Sequence, residues 1–177
     1  MLIGVISDTH DRVMTADSAL QYFKARGVGL VVHAGDWKLP STVAHIAQQA
    51  RKLSLPVQGV LGNNDTDITA LYASAEDSTG KFMLMEDVLH LHIQGKHITV
   101  YHGHHKPTLR KVLLDNSSDI IILGHSHKPK IETQNSQLIV NPGSTAFSIP
   151  RSTLWLPSVA MINTATMSAE IIYLDKP

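Results

Sequence analysis

Three short apolar runs open the chain: Leu2 to Ser7, Gly29 to Ala34 and Val57 to Leu61. Each ends at a polar or glycine-bearing break, and the first two breaks lead into helical periodicity. Continuous apolar runs this short belong to strands covered on both faces. Between the first two, Ala16, Ala19, Leu20 and Phe23 recur on one side of a helix, with Thr15 as its N-cap and Gly27 as its stop. Between the second and third, Pro40-Ser41-Thr42 opens a helix that turns Val43, Ile46, Ala47 and Ala50 inward. This β-α-β-α-β succession requires a parallel sheet with helical crossovers.

The rhythm then changes. Residues 66–80 predict a loop with one short helix. Val88 to Ile93 and His97 to His102 flank "QGK" and predict a hairpin. Thr108 to Leu114 predicts a helix, and Ile120 to Leu123 another buried strand. The segments "KIETQNSQLIVNPGS" and "SVAMINTATMSAEIIYL" alternate strands and turns without helices, as antiparallel hairpins do. A mixed α/β domain with two packed sheets accommodates all of this. At 177 residues the chain fits one domain, 1–177, large enough to bury a core without staples.

Polar residues fall at the strand ends. Asp8 and His10 follow the first strand, Asp36 the second and Asn63 the third. His102 follows the strand ending at Tyr101, and His125 and His127 the strand ending at Leu123. In open α/β sheets the carboxyl ends of the strands form the ligand crevice. Two carboxylates, four imidazoles and one amide oxygen are more ligands than a single ion takes. Two ions sharing a bridging carboxylate would use them all. The nitrogen–oxygen mixture suits manganese, iron, zinc, cobalt or nickel better than calcium or magnesium. Two such ions about 3.5–4 Å apart polarise a phosphoryl oxygen and activate water.

Composition removes other classes. Fifteen basic and fifteen acidic residues give zero formal charge, which argues against a broad nucleic-acid surface but leaves room for a small phosphate ester. The absence of cysteine excludes disulfides, thiolate metal sites and thiol catalysis. The start "MLIGVISDTHDR" lacks the basic-then-apolar pattern of a secretory signal, and no apolar run reaches membrane-spanning length. A cytoplasmic location, without membrane association, is the expectation.

Together the stretches "SDTH" (Asp8, His10), "GDW" (Asp36), "GNND" (Asn63), "HGH" (His102) and "GHSH" (His125, His127) resemble the calcineurin-like metallophosphoesterase family, in the family's order and over nearly the whole chain. The compact length and "VNPGST" (Val140 to Thr145) resemble its small bacterial and archaeal phosphodiesterase branch, to which the small retromer subunit of eukaryotes also belongs. The resemblance implies a four-layer αββα fold, a two-sheet sandwich flanked by helices. It also implies ligand roles: Asp8, His10 and His127 on one metal, Asn63, His102 and His125 on the other, and Asp36 bridging. A hydroxide between the metals would attack phosphorus in line. The cofactors implied are two divalent transition-metal ions, manganese first, with nickel, cobalt, zinc and iron as alternatives. Where much of the family carries a histidine assigned as general acid, this chain has Asn64. Asparagine cannot donate a proton as an acid, and such help is worth about 10²–10⁴-fold. A preference for activated leaving groups follows, unless His104 or a water takes the role. Asp36, Asn63, Asn64 and His104 are therefore the residues expected at the reacting centre.

Other residues carry plainer expectations. His33, inside a buried strand, is read as structural or as orienting a ligand. His104 is balanced between substrate contact and the rim, and His105 faces solvent. His45, His90, His92 and His97 are ordinary surface or strand residues. Asp65 organises the "GNND" loop. Trp37 either walls a substrate pocket or packs. Asn141 to Ser144 form a turn that brings backbone amides towards the site, and Arg151 is read as exposed rather than as a phosphate contact. The expected activity is hydrolysis of small phosphodiesters, with monoesters second. The alternative is a non-catalytic metal-binding interaction module like the small retromer subunit. Relatives in this branch form dimers or larger assemblies, and the apolar C-terminal third offers a surface for a homo-oligomer.

Overall fold

The computed structural model describes residues 1–75, 81–85, 87–146 and 156–174; Arg151 lies outside these. Its first half alternates as the apolar runs require: β1 (Leu2–Ile6), α1 (Val13–Ala25), β2 (Leu30–His33), α2 (Pro40–Leu53), β3 (Val57–Val60) and α3 (Ile68–Ala75). Then come β4 (Phe82–Met85), β5 (Val88–Ile93), β6 (Lys96–Tyr101), α4 (Lys106–Leu114) and β7 (Ile120–Leu123). Two hairpins close the chain: β8 (Lys130–Gln134) with β9 (Gln137–Asn141), and β10 (Ser158–Asn163) with β11 (Ser168–Tyr173).

The strands form two sheets. One runs β11-β10-β1-β2-β3-β4 and the other β5-β6-β7-β9-β8. Strands β1 to β4 are parallel, as are β6, β7 and β9. Between the sheets lies an aliphatic core that includes Ile3, Val5, Val32, Val60, Val100, Ile120, Ile122 and Val140. The outer face of the first sheet is sealed by α1, α2 and α3 through Leu20, Phe23, Val43, Ile46 and Leu71. On the second sheet α4 packs Val112 against Tyr101, Ile121 and Ile139. This is the four-layer helix–sheet–sheet–helix sandwich.

Three expectations need correction. Helix α1 begins at Val13 with Arg12 in the N-cap position, and no side chain caps it. Thr15 is inside the helix and buried, so its capping signal was spent on packing. Phe82–Met85 is a strand that periodicity missed: its methionines are weak strand signals, and pairing with β3 makes it one. The last third is more than hairpins, because β9 also pairs in parallel with β7 while β10 crosses to lie beside β1 in the other sheet.

Candidate metal centre

The carboxyl ends of β1, β2 and β3 in one sheet and of β6 and β7 in the other open on the same edge of the sandwich. Cross-links between the loops hold them there. The Asp8 amide donates to Gly35 O at 2.9 Å, the His10 amide to Asp36 O at 3.2 Å, and the Gly124 amide to His102 O at 3.0 Å. Five of the seven expected ligands, Asp8, His10, Asp36, His125 and His127, hold positive φ between 42° and 65°. Non-glycine residues in that region cost roughly 1–3 kcal/mol each and cluster where function over-determines the backbone.

Asp8 is fully buried. Its Oδ2 accepts from the Ser7 hydroxyl at 2.5 Å and from the His125 amide at 3.0 Å. Its Oδ1 is buried and faces ring nitrogens, Nε2 of His127 at 3.0 Å and Nε2 of His10 at 3.8 Å. Those two ring nitrogens face each other at 3.2 Å, and His10 Nε2 lies 3.5 Å from Asp36 Oδ2. One ligand atom from each of Asp8, His10, Asp36 and His127 lies within 4.8 Å of every other. A buried carboxylate oxygen among imidazole nitrogens, with a second carboxylate beside it, is a donor set that fits a transition-metal cation.

A second set lies on the other side of Asp36. His102 is buried and its Nδ1 donates to Ala34 O at 2.7 Å. In the neutral ring this bond puts the proton on Nδ1 and leaves Nε2 a lone pair for a cation. That nitrogen faces two further acceptors, Asn63 Oδ1 at 3.2 Å and Asp36 Oδ1 at 3.4 Å. With the His102 ring neutral, three acceptors converge there, as they would around a cation. The exposed His125 ring completes the group, its centroid 5.2 Å from that of His102. The two oxygens of Asp36 are thus divided between the two sets. Burial raises the Asp36 pKa, but hydrogen bonding and charge from His102 and the bonds from Asn64 outweigh it and hold the carboxyl well below its usual range. Burial likewise works against a charged His102, yet the Asp36 and Asp8 carboxylates lift it above the ordinary imidazole value.

Neighbouring residues resolve the remaining expectations. His33 is structural: Nδ1 accepts the Gly35 amide at 3.1 Å, which leaves Nε2–H to donate to Thr9 Oγ1 at 2.8 Å. Trp37 packs, stacked on His33 at 3.5 Å between centroids with its indole N–H on Val60 O, so it walls no pocket. Asp65 is buried and accepts the amides of Asp36 (3.0 Å), Gly62 (2.6 Å) and Lys38 (2.6 Å), tying the second and third strand-end loops together. The turn at Asn141 needs a glycine at Gly143, where φ is +85°. Its Gly143 amide turns back to Asn141 Oδ1 at 2.9 Å; the amides that follow the turn, of Thr145 and Ala146, donate to the carbonyls of Ser7 and Asp8, and Ser144 Oγ also donates to Asp8 O. The turn buttresses the first ligand loop. Asn64 does something its residue type did not reveal, since its backbone N–H and its side-chain amide each hold one Asp36 oxygen, at 2.9 and 2.6 Å. His104 is exposed at the rim, its ring 5.6 Å from His102 and 6.5 Å from His125. His105 is solvent-facing, bonded to Thr108.

A two-sheet α/β sandwich that gathers carboxylates, imidazoles and an amide oxygen on its shared strand-end edge defines a metal-dependent phosphoesterase. The chain belongs to the calcineurin-like phosphoesterase superfamily, whose domain matches residues 1–167. It is 25% identical to a phosphodiesterase of Methanocaldococcus jannaschii over 99% of this chain and 100% of that one. A solved archaeal phosphodiesterase superposes with a TM-score of 0.85 at 25% identity, over 98% of this chain and 100% of that one. Vps29 of Entamoeba histolytica, solved with Zn2+, shares the fold with a TM-score of 0.65 at 20% identity, over 99% of each chain. The family implies divalent metal ions. Among the described residues no helix is long and apolar enough to cross a membrane.

Proposed function

We propose that this protein hydrolyses small phosphodiesters, and phosphomonoesters more slowly, using two divalent transition-metal ions, manganese foremost. Asp8 Oδ1, His10 and His127 would hold one, Asn63, His102 and His125 the other, and Asp36 would bridge them. The observation that carries this reading is the division of the Asp36 carboxylate, one oxygen facing His10 and the other His102. Bound there, the ions supply positive charge against the phosphoryl oxygens and a water of lowered pKa for in-line attack. The chain's own residues do the rest. Asn64 fixes Asp36, Ala34 O orients the His102 ring, and Asp8 Oδ2 holds the backbone amide of His125. His104 stands at the open rim, where it can hydrogen-bond the ester. Asn64 offers no acidic proton, so leaving groups of low pKa are favoured. The completeness of the ligand set supports an enzyme over a binding module, because a scaffold has no need of His10 or His125.

The test is metal analysis of chelator-treated and reloaded protein with manganese, nickel, cobalt and zinc, alongside hydrolysis of bis-p-nitrophenyl phosphate. Uptake of two equivalents with metal-dependent turnover is expected, both lost in Asp36→Ala. Uptake without turnover across a panel of diesters and monoesters would favour the interaction module.

A further inference from the structure

The sequence pattern left His92 and His97 as ordinary strand residues, yet the fold brings their rings together. The hairpin turn between β5 and β6 has Gln94 at φ 51° and Gly95 at φ 74°. Two central residues with positive φ make a tight two-residue hairpin turn and set the register of the strands. That register places His92 directly opposite His97. The turn is itself anchored: Gln94 Oε1 accepts from the N-terminal ammonium and from Thr164 Oγ1. The backbone of His97 is held on both sides by Asp119, whose Oδ2 takes its amide at 2.9 Å and whose amide donates to its carbonyl at 2.8 Å. Both imidazoles are exposed, and β5 is an edge strand of its sheet.

The two Nε2 atoms are 2.8 Å apart while the ring centroids are 3.7 Å apart, so the rings lean together at their nitrogen ends. We propose that His92 and His97 form a surface chelate for a square-planar or octahedral divalent ion, Cu(II) or Ni(II), separate from the strand-end cluster. The spacing selects the geometry. At metal–nitrogen distances near 2.05 Å, two ligands at 90° stand about 2.9 Å apart, whereas tetrahedral ligands stand about 3.3 Å apart. The observed 2.8 Å is a ring N–H···N hydrogen bond, and it lies closer to the first separation, so an ion can replace the shared proton with little movement of the rings. Water fills the remaining positions on the open face. His90 lies on the same face one pair along, but its Nδ1 is engaged with Thr99 Oγ1. Because the hairpin already fixes both rings on paired strands, little ordering is left for the ion to impose. His97 is the second residue of β6, whose far end precedes His102, about 16 Å away at 3.3 Å per residue, so this chelate cannot share an ion with that cluster.

The experiment titrates chelator-treated full-length protein with Cu2+ and compares it with His92→Ala and His97→Ala. Wild type is expected to bind one Cu2+ more than either variant, or to bind the same number with at least tenfold higher affinity for one of them. Hydrolysis of bis-p-nitrophenyl phosphate should be unchanged by either substitution. On the wild-type chain itself, substoichiometric Cu2+ should broaden the amide resonances of residues 91–98, a readout that does not depend on the variants folding. Equal stoichiometry and affinity in all three proteins, or broadening confined to the Asp8 and His102 loops, would overturn the proposal.

Discussion

Replacing Asp65 with alanine tests whether the centre is built by the loops' own hydrogen bonds or by its ligands. Asp65 touches no ligand side chain, yet it accepts three backbone amides from two strand-end loops. The Asp36 amide is buried, so leaving it without an acceptor costs about 1–3 kcal/mol. The amides of Gly62 and Lys38 are partly open to water and can be resolvated. Losing those two bonds therefore costs about 0.5–1.5 kcal/mol each. The sum is about 2–6 kcal/mol, a large part of the roughly 5–15 kcal/mol that holds a domain together. For a chain of this size about 4 kcal/mol lowers Tm by roughly 8–16 °C. Burial raises the Asp65 pKa against the pull of the Gly62 and Lys38 amides, so part of the native cost of ionisation is recovered in the variant and the lower half of the range is expected. Asp65→Asn keeps one acceptor oxygen and should lose about half as much. The assay is thermal and urea unfolding of the metal-free chain, with metal titration of the same preparations. Affinity should fall with stability, because the same bonds aim Asp36. A Tm within about 2 °C of wild type, with full metal affinity, would refute the reasoning.

Asn64→His should raise turnover of esters with poor alkyl leaving groups relative to p-nitrophenyl esters by about tenfold or more, even as loss of the side-chain bond to Asp36 slows both; an unchanged ratio would end the general-acid argument. Gly62→Ala should weaken metal uptake even though it adds one carbon, because a β-carbon there collides with the Asp36 carboxylate and lies 2.6 Å from its amide nitrogen; calorimetric titration would register the loss. His33 is held neutral, its pKa pushed well below the ordinary 6.5 first by burial and then by the charge of His102. An unfolded chain protonates that ring near pH 6.5, so the stability it contributes is present above that pH and is lost as pH falls towards the folded value, at up to about 1.4 kcal/mol per pH unit. His33→Asn should flatten urea-measured stability between pH 7 and 5, and an unaltered slope would count against the assignment.

Much of this protein was legible in its residues. Short apolar runs broken by Asp, Asn, Gly or His marked β1, β2, β3 and β7, because strands covered on both faces need continuous aliphatics and must end where polarity begins, and the turn signal "QGK" marked β5 and β6. The same breaks supplied the seven candidate ligands, since ligand chemistry in such sheets belongs to strand ends. Tertiary structure alone decided what depends on partners distant in sequence. Pairing with β3 made a strand of Phe82–Met85, and β10 left its sequence neighbours to lie beside β1. Asn64 became a clamp on Asp36, Trp37 became core, and His92 met His97, each through a neighbour that no local pattern names. Periodicity encodes which way a side chain faces relative to its own backbone; which group waits on the other side is set only when the sheets close.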